Sequence, residues 1–188
     1  MKSRPRLLHP CWPWLKRWAA AIDRFNSCVG RLASVLVLLM LMVGVWNVVG
    51  RHLGLLLGHN LSSNSLIEIQ WYLFAAAFLL GAPWTLQRNG HVRVDVLQNR
   101  WGVRRQTMAN LVGTVLLLLP FCLLMIGSSW GAVQFSWRIL EQSPDPGGLP
   151  RYPLKSILPL SFFLLTLQGV AEMIHNLDAL RSGRKRRP

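Results

Sequence analysis

Residues Leu66 to Leu97 read LIEIQWYLFAAAFLLGAPWTLQRNGHVRVDVL. Glu68 stands near the start, and a run without formal charge extends from Ile69 to Gln87 before Arg88 closes it. A helix of about 20 apolar residues, rising about 1.5 Å per residue, crosses a hydrocarbon core of about 30 Å. Ser65, three residues before Glu68, fits a capping box, in which hydroxyl and carboxylate satisfy the first free N–H groups of a helix. Asn89-Gly90 is a turn signal, since glycine reaches positive φ at little cost. The segment HVRVDVL then alternates polar and apolar residues. In an extended conformation His91, Arg93 and Asp95 share one face, with Val92, Val94 and Val96 on the other. The stretch therefore reads as a membrane-crossing helix and the loop after it.

The rest of the chain agrees. Of 188 residues, 52% are hydrophobic and 15% charged, whereas a soluble domain carries roughly a quarter charged residues. The formal net charge is +14. A basic balance can signal nucleic acid, but these cations fall between apolar runs, where they face anionic lipid and set orientation. The expected surface partner is membrane lipid, with no nucleic acid. Cys11, Cys28 and Cys122 are scattered, without metal-ligand or disulfide spacing.

Four spans emerge, at about 32–49, 67–87, 108–133 and 154–174. Arg31 and Arg51 bracket the first, and Asn47 near its end is a candidate for an interhelical hydrogen bond. Pro83 and Pro120 predict bends in the second and third. Gly127 and Gly131 offer a small surface for close helix approach. Ahead of the spans, Leu15, Trp18, Ala19, Ile22 and Phe25 recur every three or four residues, which predicts a separate amphipathic helix lying at the interface. Glu172 and Asp178 fall where the last span can reach water. The expected organisation is a basic interfacial segment (1–27), a four-helix transmembrane domain (28–178) and a basic tail (179–188), all-α throughout.

Lysine and arginine set the orientation. Seventeen lie in the segment through Arg31, the loop after the second span and the tail. Four, Arg51, Arg138, Arg151 and Lys155, lie in the other two loops. The positive-inside rule places both termini and the arginine-rich middle loop in the cytoplasm.

Ionisable groups are absent from the span centres, where a charge costs about 2.5–3.5 kcal/mol on insertion scales and usually marks function. The chain thus offers no proton relay or ion path of its own. His9, His52, His59, His91 and His175 fall at span ends or in loops, so a haem held between facing histidines is the lesser reading: a membrane anchor for a haem or quinone redox complex. No phosphate-cradling loop or nucleophile elbow appears. No cofactor, metal or catalysis is expected.

The order Glu68, aromatic-rich apolar helix, Leu80-Gly81-Ala82, then Gly90-His-Val-Arg-Val-Asp-Val-Leu97 resembles the small membrane subunit (DctQ type) of tripartite ATP-independent periplasmic (TRAP) transporters. The family often shows a second acid beside the one matching Glu68; here the neighbours are Ile67 and Ile69. The resemblance implies a non-catalytic scaffold in the bacterial inner membrane. Its partners would be a large sodium-coupled membrane subunit (DctM type) and a periplasmic substrate-binding protein (DctP type) that delivers an organic acid. It also implies interfacial or structural roles for Glu68, Gly81, His91, Arg93 and Asp95.

Overall fold

A computed structural model describes residues 12–58, 62–88, 90 and 101–182. The elements in order are α1 (Trp12–Leu57), α2 (Asn64–Gln87), α3 (Val103–Gly113), a π-helical turn (Thr114–Leu118), α4 (Leu119–Arg138) and α5 (Tyr152–Ser182). No strand occurs among the described residues; one isolated antiparallel bridge joins Gln142 and Pro150. Four helices are long and apolar enough to cross a membrane: α1, α2, α5, and the continuous rod from Val103 to Arg138 that contains α3, the π turn and α4.

The expected interfacial helix is not a separate element. α1 runs 46 residues without interruption, about 69 Å at the α-helical rise. Its amphipathic first part continues into the first span because no proline or paired breaker lies between them. The apolar face of that first part is divided. Ala19 is fully buried with Ala171 and Ile174, and Leu15 and Ile22 pack against them. Trp14, Trp18 and Phe25 point away from the bundle, each more than half exposed, and Trp14 and Trp18 meet edge to face at 5.5 Å.

α5 is the central helix and touches every other element; α1 also packs along α2. The α1 seam repeats every three or four residues. Ala19, Asn26, Gly30, Ala33, Asn47, Gly50 and Gly54 are its buried positions. A period near 3.5 keeps one face of a long helix against its neighbours. The residues are small or polar, as expected where lipid is the solvent: without water, helix association relies on close packing and hydrogen bonds. Leucines, valines and aromatics face outward instead, among them Val35, Leu38, Met42, Trp71, Phe78, Leu117 and Leu124.

Each proline in a span leaves a carbonyl without its helical donor. Pro83 deprives Leu79, four residues earlier, and the Ser161 hydroxyl of α5 donates to that Leu79 carbonyl at 2.5 Å. The missing internal bond thus becomes a contact between α2 and α5. Pro120 lies in the first turn of α4, directly after the π turn. The wider π turn accommodates a ring that would clash with the carbonyl of Leu116, and this is the form the irregularity expected at Pro120 takes.

Candidate functional site

Glu68 is 8% exposed and does not cap its own helix. The N-cap of α2 is Ser63, which makes no side-chain capping bond. Glu68 and Ser65 instead hold the loop that joins α4 to α5. Ser143 Oγ donates to Glu68 Oε1, and the Leu149 amide donates to Oε2 at 2.5 Å. Ser65 Oγ donates to the Gly147 carbonyl at 2.5 Å, and Tyr72 to the Leu149 carbonyl at 3.2 Å. Polar side chains along about two turns of α2 thereby fasten a segment about 80 residues away in sequence. The expected capping box is overturned because α2 begins one residue before Ser65, and both carboxylate oxygens of Glu68 accept from the loop.

The loop is shaped to be held. α4 ends with Leu140 at φ 46, the Glu141 amide donating to the Ser136 carbonyl at 3.0 Å and the Leu140 amide to Trp137 at 3.4 Å. This is a Schellman ending, with leucine where glycine is usual. Gly147 turns at φ 73, and a Cβ on Gly148 would overlap the Ser143 side chain. Ser143 N–H to the Leu149 carbonyl (3.2 Å) and Arg151 N–H to the Glu141 carbonyl (2.8 Å) close the base of the loop. Glu141 pairs with Lys155. The Lys155 ammonium, with the Ser136 hydroxyl and the charge of Arg151 adding to it, holds the Glu141 carboxyl below its ordinary value. Trp137 donates to Ser156 Oγ at 2.7 Å and packs edge to face on Tyr152 at 4.6 Å.

Gly81 faces Ala33 of α1, and a Cβ there would lie 3.8 Å from the Ala33 Cβ, an ordinary contact. The glycines that α1 and α2 require are on α1. A Cβ on Gly30 would overlap Trp84 close to its backbone, and one on Gly44 would come within 2.9 Å of Gln70 Nε2. Gly127 and Gly131 meet nothing within 4 Å, so the close approach expected there is not made within this chain. Asn47 is buried, but its Oδ1 accepts from Ser62 in the α1–α2 connection at 2.6 Å rather than from another helix. His91, Arg93 and Asp95 lie outside the described residues.

At the other end of the bundle is a polar clamp that the sequence pattern did not single out. Asn26 and Gln168 are both fully buried, and Asn26 Nδ2 donates to Gln168 Oε1 at 2.7 Å. Gln168 Nε2 donates to Asp23 Oδ1 at 2.9 Å, and His175 Nε2 lies 2.7 Å from Asp23 Oδ2. Gln87 Nε2 of α2 donates to the Asp23 carbonyl at 3.1 Å, and Ser27 Oγ to Gln87 Oε1 at 2.9 Å. Lys16 pairs with Asp178 at 2.7 Å. Glu172 is 3% exposed, so it faces the bundle and not water, as α5 is enclosed there by α1. Long-range pairs between residues more than 140 positions apart leave no periodic signal; only isolated Asn, Gln and Asp within apolar surroundings hint at them.

The histidines described in α1 and α5 sit at opposite ends of the bundle, His52 bound to the Val48 carbonyl at 3.0 Å and His175 to Asp23. No cluster of three or more His, Cys, Asp or Glu side chains that could hold a metal ion occurs among the described residues. What the arrangement does chemically is join helices: Ser65, Glu68 and Tyr72 bind the connecting loop, and Asp23, Asn26, Gln87, Gln168 and His175 bind across elements. No curated protein and no solved structure matches the chain significantly. The family model "Tripartite ATP-independent periplasmic transporters, DctQ component" matches residues 21–179, well over half the chain, and the protein belongs to that family of TRAP transporter membrane subunits.

Proposed function

We propose that this chain is the non-catalytic scaffold of a three-part secondary transporter. It would hold a large sodium-coupled membrane subunit (DctM type) at fixed depth and help a periplasmic binding protein (DctP type) dock for uptake of an organic acid. Both termini and the arginine-rich middle loop would face the cytoplasm, since 17 of the 21 lysines and arginines lie on that side. The α4–α5 loop, fastened by Glu68, would then face the periplasm.

The observation that carries this reading is the use of polar groups inside the bundle. Asp23, Asn26, Gln168 and His175 lock α1 to α5, and Ser161 locks α5 to α2. Glu68 locks α2 to the loop. A carrier leaves such groups facing a cavity for its cargo; a scaffold joins them to one another. The outward apolar surface supplies room for a partner's helices. His91, Arg93 and Asp95 belong to this proposal as contacts with another subunit, and Gly81 as part of the α1–α2 seam.

Co-expression with the candidate large subunit, with a tag on this chain alone, tests the proposal. The large subunit is expected to co-purify and to be lost from the membrane when this chain is deleted. A large subunit that remains stable and transport-competent without it would refute the scaffold role.

A further inference from the structure

Between α2, α1 and the start of α5 runs an apolar groove of about 850 Å³, lined by Met40, Trp71, Phe74 and Ala75 among others, with Arg151 and Lys155 also in its wall. No acidic side chain lines it. The volume falls in the range of small-ligand sites, about 300–1,000 Å³. Its two cations stand at the end where the loop fastened by Glu68 meets α5. Phe74 and Ala75 lie six and seven residues along α2 from Glu68, roughly 10 Å deeper by helical rise. One end is therefore cationic and the remainder apolar.

The two cations are not equivalent. Lys155 pairs directly with Glu141, whereas Arg151 makes no direct ion pair among the described residues; it bonds the Tyr72 hydroxyl, and its charge acts on Glu68 and Glu141 from farther away. A guanidinium presents a planar fork of donors that matches two oxygens of a phosphate. Trp71 is 72% exposed, and an indole at the lipid headgroup level is a common anchor. A free phosphate would use only the cationic end and leave the apolar length empty; a phospholipid uses both.

We propose that this groove is a binding site for an anionic phospholipid, with the phosphate on Arg151 and one acyl chain along Met40, Phe74 and Ala75. The inference is independent of the scaffold role. It accounts for an arginine among the few basic residues at this end, and for a cleft left open along α2. Basic pockets between membrane helices recognise lipid headgroups on the same physical grounds.

Native mass spectrometry of the full chain in mild detergent tests it, with phosphatidylglycerol, phosphatidylcholine of the same acyl chains, and inorganic phosphate as probes. Thermal unfolding with each probe gives a second readout. Phosphatidylglycerol is expected to bind about fivefold better than phosphatidylcholine, the size of one cation's contribution near a membrane surface. Arg151→Gln should weaken both lipids, since each carries the phosphate, and should shrink the preference for phosphatidylglycerol, while Ala75→Trp should weaken both by filling the groove. Equal binding of the two lipids by the unmodified chain would overturn the proposal without any variant. So would inorganic phosphate stabilising the chain as much as phosphatidylglycerol, or lipid binding insensitive to both substitutions.

Discussion

Glu68 shows how much one side chain can settle. Its two carboxylate oxygens take one donor each, the Ser143 hydroxyl and the Leu149 amide. Glu68→Gln keeps the size but presents an amide N–H where an acceptor is required. Hydrogen exchange at the Leu149 amide should then rise, while exchange in the α2 interior stays as it was. Glu141 gives the loop a pH dependence. Its folded pKa lies below the ordinary 4.5, so the stabilisation is fully present above that value and is lost as pH falls through the lower folded value. Loop protection followed by hydrogen exchange should therefore be flat from neutral pH to about pH 5 and decline below it, and Glu141→Gln should reduce that decline without abolishing it, because the Glu68 carboxylate also holds the loop. The glycines give a sharper contrast. Gly30→Ala drives a methyl into Trp84 near its backbone, where the ring cannot swing away, and should cost about 1–3 kcal/mol. Gly81→Ala meets only the Ala33 methyl at 3.8 Å and should change the unfolding midpoint little. Glu68 could be singled out from the sequence because it is an acid at the mouth of an apolar run. Its partner could not, because the capping box is local and the loop it binds is about 80 residues away.

At the scale of elements, the prolines decide where helices touch. Pro83 leaves the Leu79 carbonyl free and Ser161 supplies the donor. In bilayers such a bond contributes about 0.6 kcal/mol on average, and Ser161→Ala should destabilise by about that much. In a Pro83→Ala background the helix regains its own N–H, so the same substitution should cost less; a double-mutant cycle by reversible unfolding measures the difference. The four spans were legible because long uncharged runs bracketed by arginines have no common soluble explanation, and the disturbance at Pro120 because a proline ring has few ways to sit in a helix. The length of α1 was not legible. An amphipathic segment followed by an all-apolar one reads as two elements by periodicity, yet Asn26, Ser27 and Gly30 continue the helix, and each has a partner or neighbour on α2 or α5. The outward position of Gly127 and Gly131 was equally hidden, since spacing alone says that a face is small and not what lies against it.

The whole molecule is polar and small-residued within and apolar without, the reverse of a soluble domain and the arrangement that lipid as solvent selects. Its two polar assemblies sit at opposite ends. The Asp23–Gln168–His175 clamp joins α1, α2 and α5 at one end, and the loop fastened by Glu68 joins α2, α4 and α5 at the other. A bundle fixed at both ends suits a stationary partner of a subunit that moves. The central claim is that cargo crosses through the partner and not through this chain. Solute uptake into proteoliposomes tests it most directly, with this chain alone, with its large subunit, and with the large subunit and binding protein together under an inward sodium gradient. The account predicts no uptake from this chain alone and sodium-dependent uptake of an organic acid only from the full set. Uptake by this chain alone, or undiminished uptake by the large subunit and binding protein without it, would contradict the account.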